Sequence, residues 1–181
     1  MHAIGIIESS SIAKGIEISD TMVKMADVTV LVAKTICPGK YTVLVGGDVA
    51  AVNQSVQAGM EVMPEVVVDS FVIPNIHPSI LPAISGGTVV NKVGAVGVIE
   101  TFSVAATIEA ADFAVKAASV IPLRLHLAFG IGGKAYVVLT GDAADVKTAV
   151  DAGSISAGEK GLLVQKVVIP RPHQQVIDTL L

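Results

Sequence analysis

Apolar and polar positions follow two alternating periods along this chain, and the whole succession occurs twice. Ala3 to Glu8 is a short apolar run that predicts a buried strand. Ile12, Ile16, Met22, Val23 and Ala26 then recur at helical spacing. Ser9, Ser10 and Ser11 precede that helix and supply hydroxyls that can accept from the free amides of its first turn. Val28 to Ala33 is rich in β-branched residues and predicts a strand, with Tyr41 to Val45 as its hairpin partner. Asp48 predicts the N-cap of a second helix with Val49, Val52 and Val56 on one stripe and Gly59 as its stop. Glu65 to Ile73 predicts a fourth strand ending at Pro74, and Ser79 to Ile84 a short helix.

The pattern then restarts. Ala3-Ile4-Gly5-Ile6-Ile7-Glu8 returns as Ala95-Val96-Gly97-Val98-Ile99-Glu100, at an offset of 92. Asp20 and Lys24 return as Asp112 and Lys116, Gly47-Asp48 as Gly141-Asp142, and Ile73-Pro74 with His77 as Ile169-Pro170 with His173. The offset drifts from 92 to 96, so insertions fall between elements while the elements themselves align. The chain is a tandem duplication of a β-α-β-β-α-β unit, an α+β class with antiparallel sheets and a ferredoxin-like order. The expected domains are residues 1–91 and 92–181.

Composition narrows the function classes. Hydrophobic residues are 52% of the chain but aromatics only 3%, so the cores must be built from Val, Ile, Ala and Leu. Charged residues are 15%, against about 25% in ordinary domains. No run of about 18 apolar residues is present, so no membrane span is expected. A chain this apolar and this poor in charge is expected to hide surface against other subunits. The net charge of −4 and the lack of stacking aromatics argue against nucleic acid. One cysteine, and a start without a basic, cleavable leader, fit a reducing cytoplasm.

The chemistry concentrates in one loop, Thr35-Ile36-Cys37-Pro38-Gly39-Lys40, which holds the only cysteine. Gly130-Ile131-Gly132-Gly133-Lys134 occupies the same point in the second repeat, without a cysteine. A lone cysteine is either a small packing residue or a ligand shared between subunits. The Pro-Gly neighbours argue against deep burial, and Gly39 permits close backbone approach. Lys34 and Lys40 could offset the charge of a metal centre, but Lys134 matches Lys40 beside no cysteine, so a shared structural or pore-lining role is more economical. Gly46-Gly47 reads as a helix entry, because no Gly-Lys-Ser/Thr follows. His77 and His173 suit turns, while His2 and His126 have no evident partner. Glu8 and Glu100 are equivalent strand ends rather than a catalytic pair. No nucleophile–base pair is present, and no enzymatic turnover is expected.

The repeated unit resembles the bacterial microcompartment (BMC) shell domain. The likeness is carried by Gly-Ile-Ile-Glu at 5–8 and Gly-Val-Ile-Glu at 97–100, the helix ends at 22–26 and 114–118, the Gly-Asp helix starts, and Val168-Ile169-Pro170-Arg171-Pro172-His173. It covers nearly the whole chain, twice, in unpermuted order. The resemblance implies a homotrimer shaped as a pseudohexagon, tiling shell facets with other BMC shell proteins in the cytoplasm. Lys24, Lys116 and Arg171 are implied to lie on the tiling edge; Asn75 stands where the second repeat has Arg171, so three of six edges are expected to tile differently. The loops at 34–40 and 128–134, with Asn75-Ile76-His77-Pro78, are similar to those of the propanediol-utilisation branch. That likeness implies a 4Fe–4S cluster at the threefold axis, one per trimer, bound by three Cys37 and passing electrons or a cluster to enclosed redox enzymes. The alternatives are a metal-free metabolite pore through the same loops, and a non-shell small-ligand-binding protein of ferredoxin-like fold.

Overall fold

The computed structural model describes residues 3–90 and 92–180. His2 and the expected domain limits at residues 1, 91 and 181 lie outside the described residues. The chain packs as two compact units. The first comprises residues 1–76 with 129–133, and the second residues 77–128 with 134–181. The segment 77–90 belongs to the first repeat by its place in the pattern and packs in the second unit.

In the first unit, β1 (Ala3–Ser9), α1 (Ile12–Met25), β2 (Thr29–Ile36), β3 (Lys40–Gly47), α2 (Val49–Val62) and β4 (Val67–Pro74) follow in order. The antiparallel sheet has the strand order β2-β3-β1-β4. Successive β1 side chains point to opposite faces. Gly5 lies against Val56 and Val52 of α2, where an added Cβ would meet their methyls at 2.4 and 2.8 Å respectively. Ala3, Ile7, Ile18, Met22, Val43 and Val52 form the dry layer between sheet and helices. Each large side chain buried there contributes about 1.5–3 kcal/mol.

Gly59 does not stop α2. It sits inside the helix, which runs to Val62, because Ile7 Cδ1 and Met22 Cγ come within 2.7 and 2.8 Å of where its Cβ would be. A glycine that ends a helix and one that admits a crossing neighbour look alike in sequence. Asp48 does stand at the N-cap of α2, but its side chain makes no capping bond; only its carbonyl accepts, from Val52 N–H at 2.9 Å. Ser11 does cap α1, accepting from Lys14 N–H at 3.4 Å.

In the second unit, α3 (Ile80–Ser85) precedes β5 (Ala95–Thr101), α4 (Val104–Ala117), β6 (Val120–His126), β7 (Ala135–Gly141), α5 (Ala143–Glu159), β8 (Leu163–Ile169) and α6 (Gln174–Leu180). The sheet order β6-β7-β5-β8 repeats that of the first unit. Ala105, Ala106, Ala110, Ala111 and Ala114 make α4 slim and buried. α5 therefore approaches it closely enough that a Cβ on Gly153 would meet Ala110 O at 2.5 Å. Both units are thus α+β with four-stranded antiparallel sheets, as the repeat predicts. No helix among the described residues is long and apolar enough to cross a membrane.

Candidate functional site

The cysteine lies at the tip of the β2–β3 hairpin. Ile36 is buried at the end of β2 and anchors the loop, and Lys40 opens β3 opposite it in register. Cys37, Pro38 and Gly39 make the turn between them. Gly39 has φ +67°, a left-handed conformation that favours glycine, and nothing lies within 4 Å of where a Cβ would be. Cys37 is half-buried, while Thr35, Pro38 and Gly39 are exposed. A half-buried thiol at a hairpin tip is unlike the fully buried cysteine that serves only as a small hydrophobe.

Lys40 does not face the thiol's surroundings as a spare cation. Its Nζ lies 3.2 Å from Glu8 Oε2, and the Glu8 side chain is completely buried. The second repeat makes the same pair: Lys134 Nζ is 3.0 Å from Glu100 Oε1. The two equivalences read separately from the sequence, lysine with lysine and glutamate with glutamate, are joined by the fold into one motif per unit. Lys34 is exposed and in no ion pair among the described residues.

The second glycine-rich loop takes its shape from four left-handed residues within six positions. Ala128, Gly130, Gly132 and Gly133 have φ of +54°, +74°, +67° and +87°. Phe129, Gly130, Ile131 and Gly132 are exposed, whereas Gly133 is buried. Gly133 packs on the cysteine turn: a Cβ there would lie 2.7 Å from both the Cys37 carbonyl oxygen and Pro38 Cδ. Residues 129–133 and the Cys37 turn are therefore in contact within the first unit.

The proposed edge residues lie elsewhere. Lys24 and Lys116 end α1 and α4 and pair with Asp20 and Asp112 one turn earlier. Arg171 is exposed and forms no ion pair among the described residues. His126 has a partner that sequence reading missed: its ring stacks on Tyr136, with centroids 5.2 Å apart and planes within 6°. His77 closes a turn, its Nδ1 accepting from Ser79 N–H at 3.3 Å, and its own N–H donates to Asp112 Oδ1 at 2.8 Å. Asp112 and His77 are 35 residues apart, and no periodic signal links them.

As a donor set, one chain offers one thiol. Among the described residues no three His, Cys, Asp or Glu side chains gather closely enough to hold a metal ion. An iron–sulfur cluster generally takes thiolates, commonly four. One chain alone therefore does not fit such a cluster. A half-buried thiol beside an open, glycine-shaped turn does fit the contribution of one ligand to a centre shared between chains.

Comparison with known proteins follows the same outline. Residues 3–76 and 95–172 each match the BMC domain. The chain is 58% identical to the bacterial microcompartment shell protein PduT of Citrobacter freundii, over 97% of this chain and 95% of that one. It is 30% identical to the carboxysome assembly protein CcmO of Synechococcus elongatus, over 98% of this chain and 68% of that one. A crystal structure of a microcompartment protein from Desulfitobacterium hafniense superposes with a TM-score of 0.91 at 50% identity, covering 98% of this chain and 99% of the other.

Proposed function

This chain belongs to the BMC domain family of bacterial microcompartment shell proteins, and from that premise we propose that it is a trimeric facet tile carrying one 4Fe–4S cluster shared by three Cys37 thiolates. The observation that carries the reading is the position of the only thiol. It sits half-buried at a hairpin tip whose partner loop, ending in Gly133, leaves no room for a side chain against it. A fixed backbone holds a ligand in place, while the openness at Gly39 leaves space for a neighbouring loop.

When bound, such a cluster supplies one-electron chemistry, with a potential set by its charge, hydrogen bonding and exposure. The chain's own residues do the positioning. Ile36 anchors one side of the turn, the Lys40–Glu8 pair ties the other side to β1, and Gly133 backs the Cys37 carbonyl. Three thiolates leave one iron without a protein ligand, so a small ligand or an outside group completes it. In a shell tile, that centre would pass electrons, or the cluster itself, between the cytosol and enclosed redox enzymes. Lys24, Lys116 and Arg171 supply exposed cations for contacts with neighbouring BMC shell proteins.

Iron and acid-labile sulfide in anaerobically purified protein test this. The expected content is about four irons per three chains for thiolate-ligated 4Fe–4S, lost in Cys37→Ser without loss of the trimer. Protein that stays iron-free after reconstitution with iron and sulfide would return Cys37 to a packing role and leave a metal-free tile.

A further inference from the structure

A cavity in the second unit belongs to neither the cysteine turn nor the lysine–glutamate pairs. Its volume is about 310 Å³, at the lower end of the range of small-molecule sites. Val115, Val120 and Ile121 supply apolar lining, and Ile121 is 46% exposed. His77, Lys92 and Ser119 supply polar lining, with no carboxylate among the lining residues. The polar groups are donors. Ser79 N–H can only donate, and it lies 3.3 Å from His77 Nδ1, so that nitrogen accepts and the neutral ring carries its proton on Nε2. Lys92 is exposed and forms no ion pair among the described residues. Ser119 adds a hydroxyl at the turn after α4. Asp112 does not line the cavity, and its two oxygens are taken by Lys116 and the His77 N–H.

The segment that carries the lysine is held in place. Thr140 Oγ1 accepts from Gly94 N–H at 3.0 Å and donates to Ala95 O at 2.9 Å. Gly94, two residues after Lys92, approaches β7 so closely that a Cβ there would lie 2.5 Å from Gly141 O. The equivalent place in the first repeat has a different character. The turns after α1 and α4 close with the same bond, Val28 N–H to Ala26 O and Val120 N–H to Ala118 O, each 2.9 Å. Yet Asp27 stands where Ser119 does, Thr29 where Ile121 does, and Gly46 where Thr140 does. The second repeat thus loses an acid from this turn, gains an apolar wall, and gains the hydroxyl that tethers the lysine-bearing segment.

We propose that this cavity binds a small organic monoanion, a carboxylate on a short alkyl chain. The carboxylate accepts from Lys92 Nζ, His77 Nε2–H and Ser119 Oγ–H, and the chain covers Val115, Val120 and Ile121. One lysine with two neutral donors balances one negative charge. A phosphate, with roughly two charges at neutral pH, would be left partly uncompensated beside an apolar wall.

Titration of the full chain with butyrate, followed by saturation-transfer NMR, tests the site. Butanol serves as the neutral probe of similar shape and inorganic phosphate as the competitor. Butyrate is expected to bind saturably and roughly tenfold more tightly than butanol, as for one charge-assisted hydrogen bond. Equimolar phosphate is expected not to displace it. Lys92→Met is expected to weaken butyrate roughly tenfold and to leave butanol unchanged. Ser119→Asp, which returns the acid found in the first repeat, is expected to abolish butyrate binding through like-charge repulsion. Both positions are exposed, and circular dichroism checks that both variants keep native helix and strand content. No saturable butyrate binding, equal affinity for butyrate and butanol, displacement by phosphate, or unchanged butyrate affinity in either variant would overturn the site.

Discussion

Lys40–Glu8 and Lys134–Glu100 are one ion pair made twice in a single chain, under different solvation. In the first unit the glutamate side chain is 0% exposed and the lysine 15%. In the second they are 30% and 43% exposed. In a poorly solvated site, removing one partner strands a buried charge at a cost of about 3–5 kcal/mol. A half-exposed pair is screened and contributes about 0–1 kcal/mol. The unit that carries the cysteine is thus the one whose loop is tied down by a desolvated pair. The same ion pair thus ties a loop to its strand in both repeats, and only in the first is it sealed from solvent.

The largest expected effect follows directly. Lys40→Met should lower stability by about 3–5 kcal/mol, a fall in Tm on the order of 10 °C for a chain of this size. Lys134→Met should cost less than about 1 kcal/mol. Thermal melts of the two variants side by side decide this, and equal losses would break the comparison. Double replacement of Lys40 and Glu8 by apolar residues should recover much of the loss, because no charge is then left unpaired.

The two loops offer a second contrast. Gly133→Ala places a methyl 2.7 Å from the Cys37 carbonyl oxygen and Pro38 Cδ, at a backbone φ of +87°. It should cost about 1–3 kcal/mol from overpacking, with reduced iron retention because the Cys37 turn must move. Gly39→Ala meets nothing within 4 Å and carries only the left-handed backbone cost of about 1–2 kcal/mol. Comparing iron content at equal protein concentration separates displacement of the thiol from backbone strain alone.

The repeat, the element order and the sheet class were legible because they rest on local signals: periodicity, β-branched runs and returning short motifs. The reach of side chains across the fold was not. Glu8 and Lys40 are 32 residues apart, and only the pairing of β1 with β3 brings them together. Gly59 read as a stop because sequence shows the residue type but not the crossing of α1 over α2. Gly133 read as a loop glycine, although its backbone lies against the Cys37 turn 96 residues away in sequence. The thiol's place in a hairpin loop and its escape from deep burial were legible from the flanking strand runs and the Pro-Gly pair; the contact of its turn with Gly133 was not.

The smallest effect concerns acid. Asp151 on α5 accepts from Lys147 and Lys166, and these two cations lower its pKa from the ordinary 3.8 to about 2. The equivalent position in the first repeat is Gln57, which cannot titrate. A carboxylate held below its unfolded pKa contributes stability above about pH 4 and loses it as pH falls through about 2. Asp151 is about half exposed, so screening keeps the contribution below about 1 kcal/mol. Asp151→Asn should lower Tm slightly at pH 7, with the gap to wild type closing between pH 4 and pH 2. A gap that persists at pH 2 would place the contribution in packing rather than charge.

The most direct test of the account is the intact mass of the anaerobically purified assembly, read by native mass spectrometry for wild type and for Cys37→Ser. The account predicts three chains plus the mass of one 4Fe–4S cluster for wild type, and three bare chains for the variant. Three bare chains from reconstituted wild type, or the same added mass on Cys37→Ser, would contradict it.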